Sequence, residues 1–167
     1  FIDTPGIFTP RRRLDRAMVA AAWEGLDGAD VVLLVVDAPA YAAGKGADAA
    51  DGAARKAAAD TDAIIEALKE KDAKAVLVLN KIDRIARPNL LALIEALGKS
   101  GVFTDTFLIS AETGDGLNDL KKYLIGRMPP GPWMYPEDQL SDISDRLMAA
   151  EITREKLYLR LHQELPY

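Results

Sequence analysis

Residues Ala75-Val76-Leu77-Val78-Leu79-Asn80-Lys81-Ile82-Asp83 join an unbroken apolar run to an abrupt polar ending. Such a run predicts a strand buried on both faces, as in a parallel sheet covered by helices. The polar N-K-x-D tetrapeptide then falls at the carboxyl end of that strand, the edge at which open α/β sheets bind ligands. Asp83 is suited to accept hydrogen bonds from the ring N–H and exocyclic amine of guanine. Adenine lacks that donor pair and would leave the carboxylate unpaired, so such a site discriminates strongly. Lys81 can lay its stem along the base, and Asn80 can tie neighbouring loops together.

Working outward, Val31 to Asp37 is a second apolar strand and Phe107-Leu108-Ile109 a short third one. Phe1-Ile2 reads as the end of another. Helices are expected from about Leu14 to Leu26, through an Ala-rich stretch ending near Lys71 with Ile64, Ile65 and Leu68 inward, from Pro88 to about Leu97, and from Leu117 to Ile125. Residues 38 to 47, rich in Ala, Gly and Pro, read as a loop. The alternation of strand and helix predicts an α/β fold, a parallel sheet flanked by helices with right-handed crossovers.

Two further motifs follow strands. Ser110-Ala111-Glu112 offers a backbone N–H, that of Ala111, to the guanine carbonyl oxygen. Asp3-Thr4-Pro5-Gly6 is a D-x-x-G sequence: the carboxylate suits Mg²⁺ bound through water, and Gly6 lets the backbone N–H approach a γ-phosphate.

Composition narrows the function classes. The chain has 167 residues, 49% apolar, with a net charge of −5. An acidic chain is not a typical nucleic-acid binder, and Arg11-Arg12-Arg13, its only basic run, reads as a solvated loop. The absence of cysteine excludes disulfides and thiolate metal sites, and the single histidine, His162, argues against histidine clusters. No apolar run approaches a membrane span and no signal peptide is visible. The chain opens on Phe1 inside a strand, and both ends read as cut, as in a fragment.

The order D-T-P-G, N-K-I-D, S-A-E-T-G resembles the translation-factor-related branch of P-loop GTPases. The segment from Tyr135-Pro136-Glu137-Asp138 through Met148-Ala149-Ala150-Glu151 to Glu164-Leu165-Pro166-Tyr167 closely resembles Era-type GTPases. Met128-Pro129-Pro130-Gly131-Pro132 reads as a linker and about Ser144 to Leu161 as an amphipathic helix; the resemblance implies a P-loop NTPase-like parallel sheet in a partial G domain over 1–127, a linker over 128–136 and the start of a KH RNA-binding domain over 137–167. It implies binding and hydrolysis of GTP to GDP with Mg²⁺, binding to small-subunit ribosomal RNA, and assistance to 30S subunit maturation. It also implies a cytoplasmic, monomeric protein with peripheral inner-membrane association. The GTP-binding residues carried over are Asp3, Thr4, Pro5, Gly6, Asn80, Lys81, Asp83, Ser110, Ala111 and Glu112. The alternatives are a nucleotide-independent scaffold with a degenerate G domain, and a Der or tRNA-modification GTPase. The segment Tyr135 to Tyr167 weighs against the latter.

The chain departs from the family in three places. No G-x-x-x-x-G-K-S/T loop is present: Gly44-Lys45 has Pro39 and Gly46 in the required places and reads as a flexible turn. The phosphate loop would lie before Phe1, and its strand would sit beside that of Val31 to Asp37. The isolated chain is therefore expected to bind GTP weakly or not at all. Ile7 stands where many GTPases carry a water-orienting glutamine, so no catalytic side chain is assigned. Hydrolysis would recruit a water network, K⁺ or the ribosome, with residues 7 to about 18 as the γ-phosphate switch. Finally, no G-x-x-G clamp follows the last helix. Glu137 to Tyr167 holds seven acidic and four basic residues, so little RNA affinity is expected from it.

Overall fold

The computed structural model describes residues 4, 19, 22–23, 28–46, 51–132, 136 and 144–161. The expected strand Phe1-Ile2, the residues Asp3, Pro5, Gly6 and Ile7, the expected switch over 7 to 18, Tyr135 and His162 lie outside them, whereas Thr4 is described. So does most of the first expected helix, of which Val19, Ala22 and Trp23 are helical. The chain divides into two compact units, Phe1–Pro129 and Pro130–Tyr167.

In the first unit, β1 (Leu33–Asp37), β2 (Ala75–Asn80) and β3 (Phe103–Leu108) form a parallel sheet in that order. This is the α/β architecture expected from the apolar runs. β2 is central among the described strands. Ala75, Leu77 and Leu79 face one core, and Val76 and Val78 face the other. All five are at most 3% exposed, so β2 has no polar side until Asn80.

Three helices cover the first face: α1 (Ala38–Lys45), α2 (Gly52–Glu70) and α3 (Arg87–Gly98). They contribute Tyr41, Ile65, Leu68, Leu90, Leu93 and Leu97 to its core. On the second face α4 (Leu117–Arg127) places Leu120 beside Val76, Val78 and Ile109, with Tyr123 and Phe107 meeting edge to face at 4.9 Å. Val35, on the open side of β1, is 57% exposed.

Residues 38–45 are not a loop but α1. Asp37 caps it, accepting a hydrogen bond from the Ala40 N–H at 2.9 Å. Pro39 lies in the first turn, where its missing N–H costs nothing. Gly44, taken as a flexible turn, is helical and sits hard against α2. A Cβ there would run into the Ala54 carbonyl oxygen and lie 2.7 Å from the Ala58 Cβ. The glycine lets two helices touch, and the Ala-rich face of α2 (Ala54, Ala58) is its counterpart.

β3 begins at Phe103, four residues before the expected Phe107. Thr104 and Thr106 are exposed and alternate with more buried neighbours, the period-two pattern of a strand with one wet side. β1 starts at Leu33 rather than Val31, although the Val32 carbonyl still accepts the Val76 N–H at 2.8 Å.

In the second unit α5 (Asp145–Leu161) starts at Ser144, whose carbonyl accepts the Leu147 N–H at 2.9 Å. Leu147, Met148, Ile152 and Leu157 are exposed along it.

Gly44→Ala should lower stability by about 1–3 kcal/mol in urea unfolding, because the clash is with backbone. Gly126→Ala, inside α4 with nothing within 4 Å, should raise it by about 0.5–1 kcal/mol. Equal effects at the two sites would refute the close packing of α1 on α2.

Candidate functional site

β2 ends on Asn80 and the chain turns at once. Lys81 takes a left-handed conformation, φ 64° and ψ 38°, and Ile82–Arg84 form a single 3₁₀ turn. The Asn80 side chain explains how this turn is held. Its Oδ1 accepts the Lys81 N–H at 2.8 Å and the Ala111 N–H at 3.0 Å. One carbonyl oxygen thus joins the loop after β2 to the loop after β3. The Ile82 N–H adds a second tie, to the Ile109 carbonyl at 3.2 Å.

The loop after β3 is as ordered as the first. Ser110 is fully buried. Its Oγ accepts the Thr113 N–H at 3.2 Å, which directs its own proton toward Asp83. Gly114 donates to the Ser110 carbonyl at 2.8 Å, and Ser110 N–H to the Asp115 carbonyl at 3.0 Å. Gly116, at φ 72°, caps α4 pressed against the Leu108 carbonyl, where no side chain would fit.

Asp83 therefore sits between two cross-linked loops with its side chain 26% exposed. The Ser110 hydroxyl, against the opposing effect of burial and with help from a backbone N–H and Arg84, holds its carboxyl below the ordinary value of 3.8. Arg84 reaches Glu112 Oε2 at 2.8 Å and Asp83 Oδ2 at 3.5 Å. Exposed pairs of this kind contribute little to stability, but they tie Asp83 and Glu112 to the same guanidinium. An ionised carboxylate here is a pure acceptor, matched to a base edge that presents two donors.

The structure thus brings Asn80, Lys81, Asp83, Ser110, Ala111 and Glu112 together at the carboxyl ends of β2 and β3. The Ala111 N–H, expected to meet a guanine carbonyl, is engaged by Asn80. A base carbonyl would share or displace that acceptor. Thr4 is half-buried outside regular structure, and its partners Asp3, Pro5 and Gly6 lie outside the described residues. Asp37 went unnoticed in the sequence. Its Oδ2 lies 2.6 Å from Lys81 Nζ, and the register pairs Asp37 with Asn80. The signal was available: both apolar strands end on a polar residue at the same sheet edge.

Two Gly-Lys pairs occur among the described residues, and neither opens a helix. Gly44-Lys45 ends α1, with Lys45 paired to Asp62. Gly98-Lys99, followed by Ser100, ends α3, and Leu93 stands where a phosphate loop needs its first glycine. Phosphate-binding loops present N–H groups at helix starts, so these pairs cannot serve.

A parallel sheet flanked by helices, with N-K-x-D and S-A-E on consecutive strand ends, matches the P-loop GTPase fold. The family described as 50S ribosome-binding GTPase matches residues 1–81. GTPase Era of Caulobacter vibrioides is 54% identical over 166 residues, covering 99% of this chain and 52% of that protein. GTPase Era of Agrobacterium fabrum is 52% identical over 167 residues, covering 100% of this chain and 48% of that one. The crystal structure of Aquifex aeolicus Era Y63A bound to GDP·AlF4⁻ superposes with a TM-score of 0.71 at 33% identity, over 98% of this chain and 51% of that chain. The chain is homologous from end to end to the Era GTPases. It spans about half the length of the curated relatives it matches.

Ser110→Ala should raise the Asp83 carboxyl pKa toward 3.8, read by ¹³C NMR titration of its side chain. A carboxyl whose pKa is depressed by folding adds stability above its unfolded value and loses it as pH falls through the folded value. The variant should therefore lose less stability than the parent on going from pH 5 toward the folded-state pKa. An unchanged Asp83 titration would refute the Ser110 contact.

Proposed function

We propose that this chain carries the base-recognition part of a guanine-nucleotide site in an Era-type GTPase. The observation that carries the proposal is the Asn80 carbonyl accepting the Lys81 and Ala111 N–H groups, which joins the turn that carries Asp83 to the loop that carries Ser110. Two loops fixed before binding spend little ordering entropy on the ligand.

For the whole protein the proposal extends to GTP hydrolysis by attack of water on the γ-phosphate. The Era relatives are named GTPases, and the Aquifex structure holds GDP·AlF4⁻, in which AlF4⁻ stands in for the transferring phosphoryl group. Asp3 would hold Mg²⁺ through water, and the ion when bound would neutralise phosphate charge. Asp3 lies outside the described residues, so no step is built on it. Ile7 offers no hydrogen bond to orient water, so slow intrinsic turnover, dependent on K⁺, RNA or the ribosome, goes with this reading.

By the same resemblance, Glu137–Tyr167 would begin an RNA-binding KH domain, and the partners would be small-subunit ribosomal RNA and the 30S subunit. With a net charge of −3, Glu137 to Tyr167 would contribute little RNA affinity by itself. Location in the cytoplasm, as a monomer, belongs to the same reading. No helix among the described residues is long and apolar enough to cross a membrane, and peripheral inner-membrane association is carried by the resemblance alone.

Titration of the ¹⁵N-labelled chain with GDP should shift the amides of Asn80 to Asp83 and Ser110 to Thr113, with weak affinity, whereas ADP should not. Asp83→Asn should abolish the guanine preference. It should favour xanthosine diphosphate, whose base carries a carbonyl where guanine has its amine, so that an Asn amide can donate to it. Equal responses to GDP and ADP would overturn the reading.

A further inference from the structure

Asp37 lies on a different strand from the N-K-x-D tetrapeptide and belongs to none of the motifs above. Its two carboxylate oxygens do separate things. Oδ1 accepts the Ala40 N–H at 2.9 Å and caps α1. Oδ2 lies 2.6 Å from Lys81 Nζ. A helix cap requires only the first of these, and an asparagine would supply it equally well. The second needs a negative charge.

The backbone makes this pairing specific. The register sets Asp37 directly beside Asn80, and the left-handed turn at Lys81 follows immediately. The lysine stem is therefore anchored at both ends, by a turn that Asn80 holds and by a carboxylate that the helix α1 holds. Burial pushes the Asp37 carboxyl up, yet the Lys81 hydrogen bond and the Ala40 N–H together outweigh it, so its pKa falls below 3.8. A free lysine side chain samples many rotamers, and a base that packs on it must first order it. A tethered stem removes that requirement.

Resting on the guanine-site reading above, we infer that Asp37 is a positioning residue for the base, acting through Lys81 by holding its methylene stem stretched along one face of the base site. Asp83 reads the edge of the base, and the Asp37–Lys81 pair supplies the face. The beginning of α1 is thereby linked to the state of the base site.

The test is a double-mutant cycle read by GDP titration of the ¹⁵N-labelled chain, with the thermal midpoint of each variant measured alongside. Asp37→Asn keeps the α1 cap and the side-chain volume but removes the charge. It should weaken GDP binding by about threefold, as suits an ion pair whose members are 37% and 46% exposed, and lower the midpoint only slightly through loss of the same exposed pair. Lys81→Met keeps an unbranched apolar stem and removes the ammonium. In that background Asp37→Asn should change GDP affinity no further. If Asp37→Asn binds GDP as the parent does, or if its effect persists beside Lys81→Met, the inference is overturned while the guanine reading stands. If the parent itself shows no preference for GDP over ADP, the guanine reading fails and this inference fails with it.

Discussion

The Asn80 side-chain carbonyl, with the Lys81 and Ala111 N–H groups on its two lone pairs, is the contact on which the rest of the site depends. It lies where a strand buried on both faces gives out, so its position is set by core packing and not by loop preference. Every group that would meet a base is within one or two residues of it: Lys81 and Asp83 on one side, Ser110 and Glu112 on the other. Asparagine is the residue for this task because it is short, neutral and offers two acceptor positions on one atom. An aspartate would place a second charge beside Asp83, and a leucine would leave two backbone donors unmet.

The site inherits its rigidity from an asymmetric core. β2 contributes to both hydrophobic clusters, and the larger cluster draws on three helices. The close approach of α1 to α2 at Gly44 keeps the start of α1, and so Asp37, in a fixed place. The chain of cause runs from a small residue at one end of α1, through the helix, to a carboxylate at the other end that meets Lys81. On the far side, the buried hydroxyl of Ser110 does comparable work for Asp83.

How much of this was readable from residues alone follows a physical pattern. β2 and its tetrapeptide were plain because a strand covered on both faces is apolar throughout and stops sharply. The α/β class followed from the same kind of run at Val31. β3 was read too short because Thr104, Asp105 and Thr106 alternate across a half-wet strand, and alternation with polar residues mimics a loop. α1 was missed because Pro39 and Gly44 usually punctuate loops; only the first-turn position of one and the packing of the other reconcile them with a helix. Asp37 was invisible as a partner of Lys81 because 44 positions separate them in sequence, and only the parallel register brings them together. The D-T-P-G motif was equally clear as a sequence, but three of its four residues lie outside the described structure.

Lys81 holds a backbone conformation that costs an ordinary residue about 1–2 kcal/mol and that glycine adopts freely. A protein under selection for stability alone would place glycine there, or asparagine. Keeping a long, flexible, charged side chain at the one strained corner of the tetrapeptide is a loss that folding cannot explain. Position 81 is thus a point where stability and recognition pull apart, and the more stable sequence would be the less competent one.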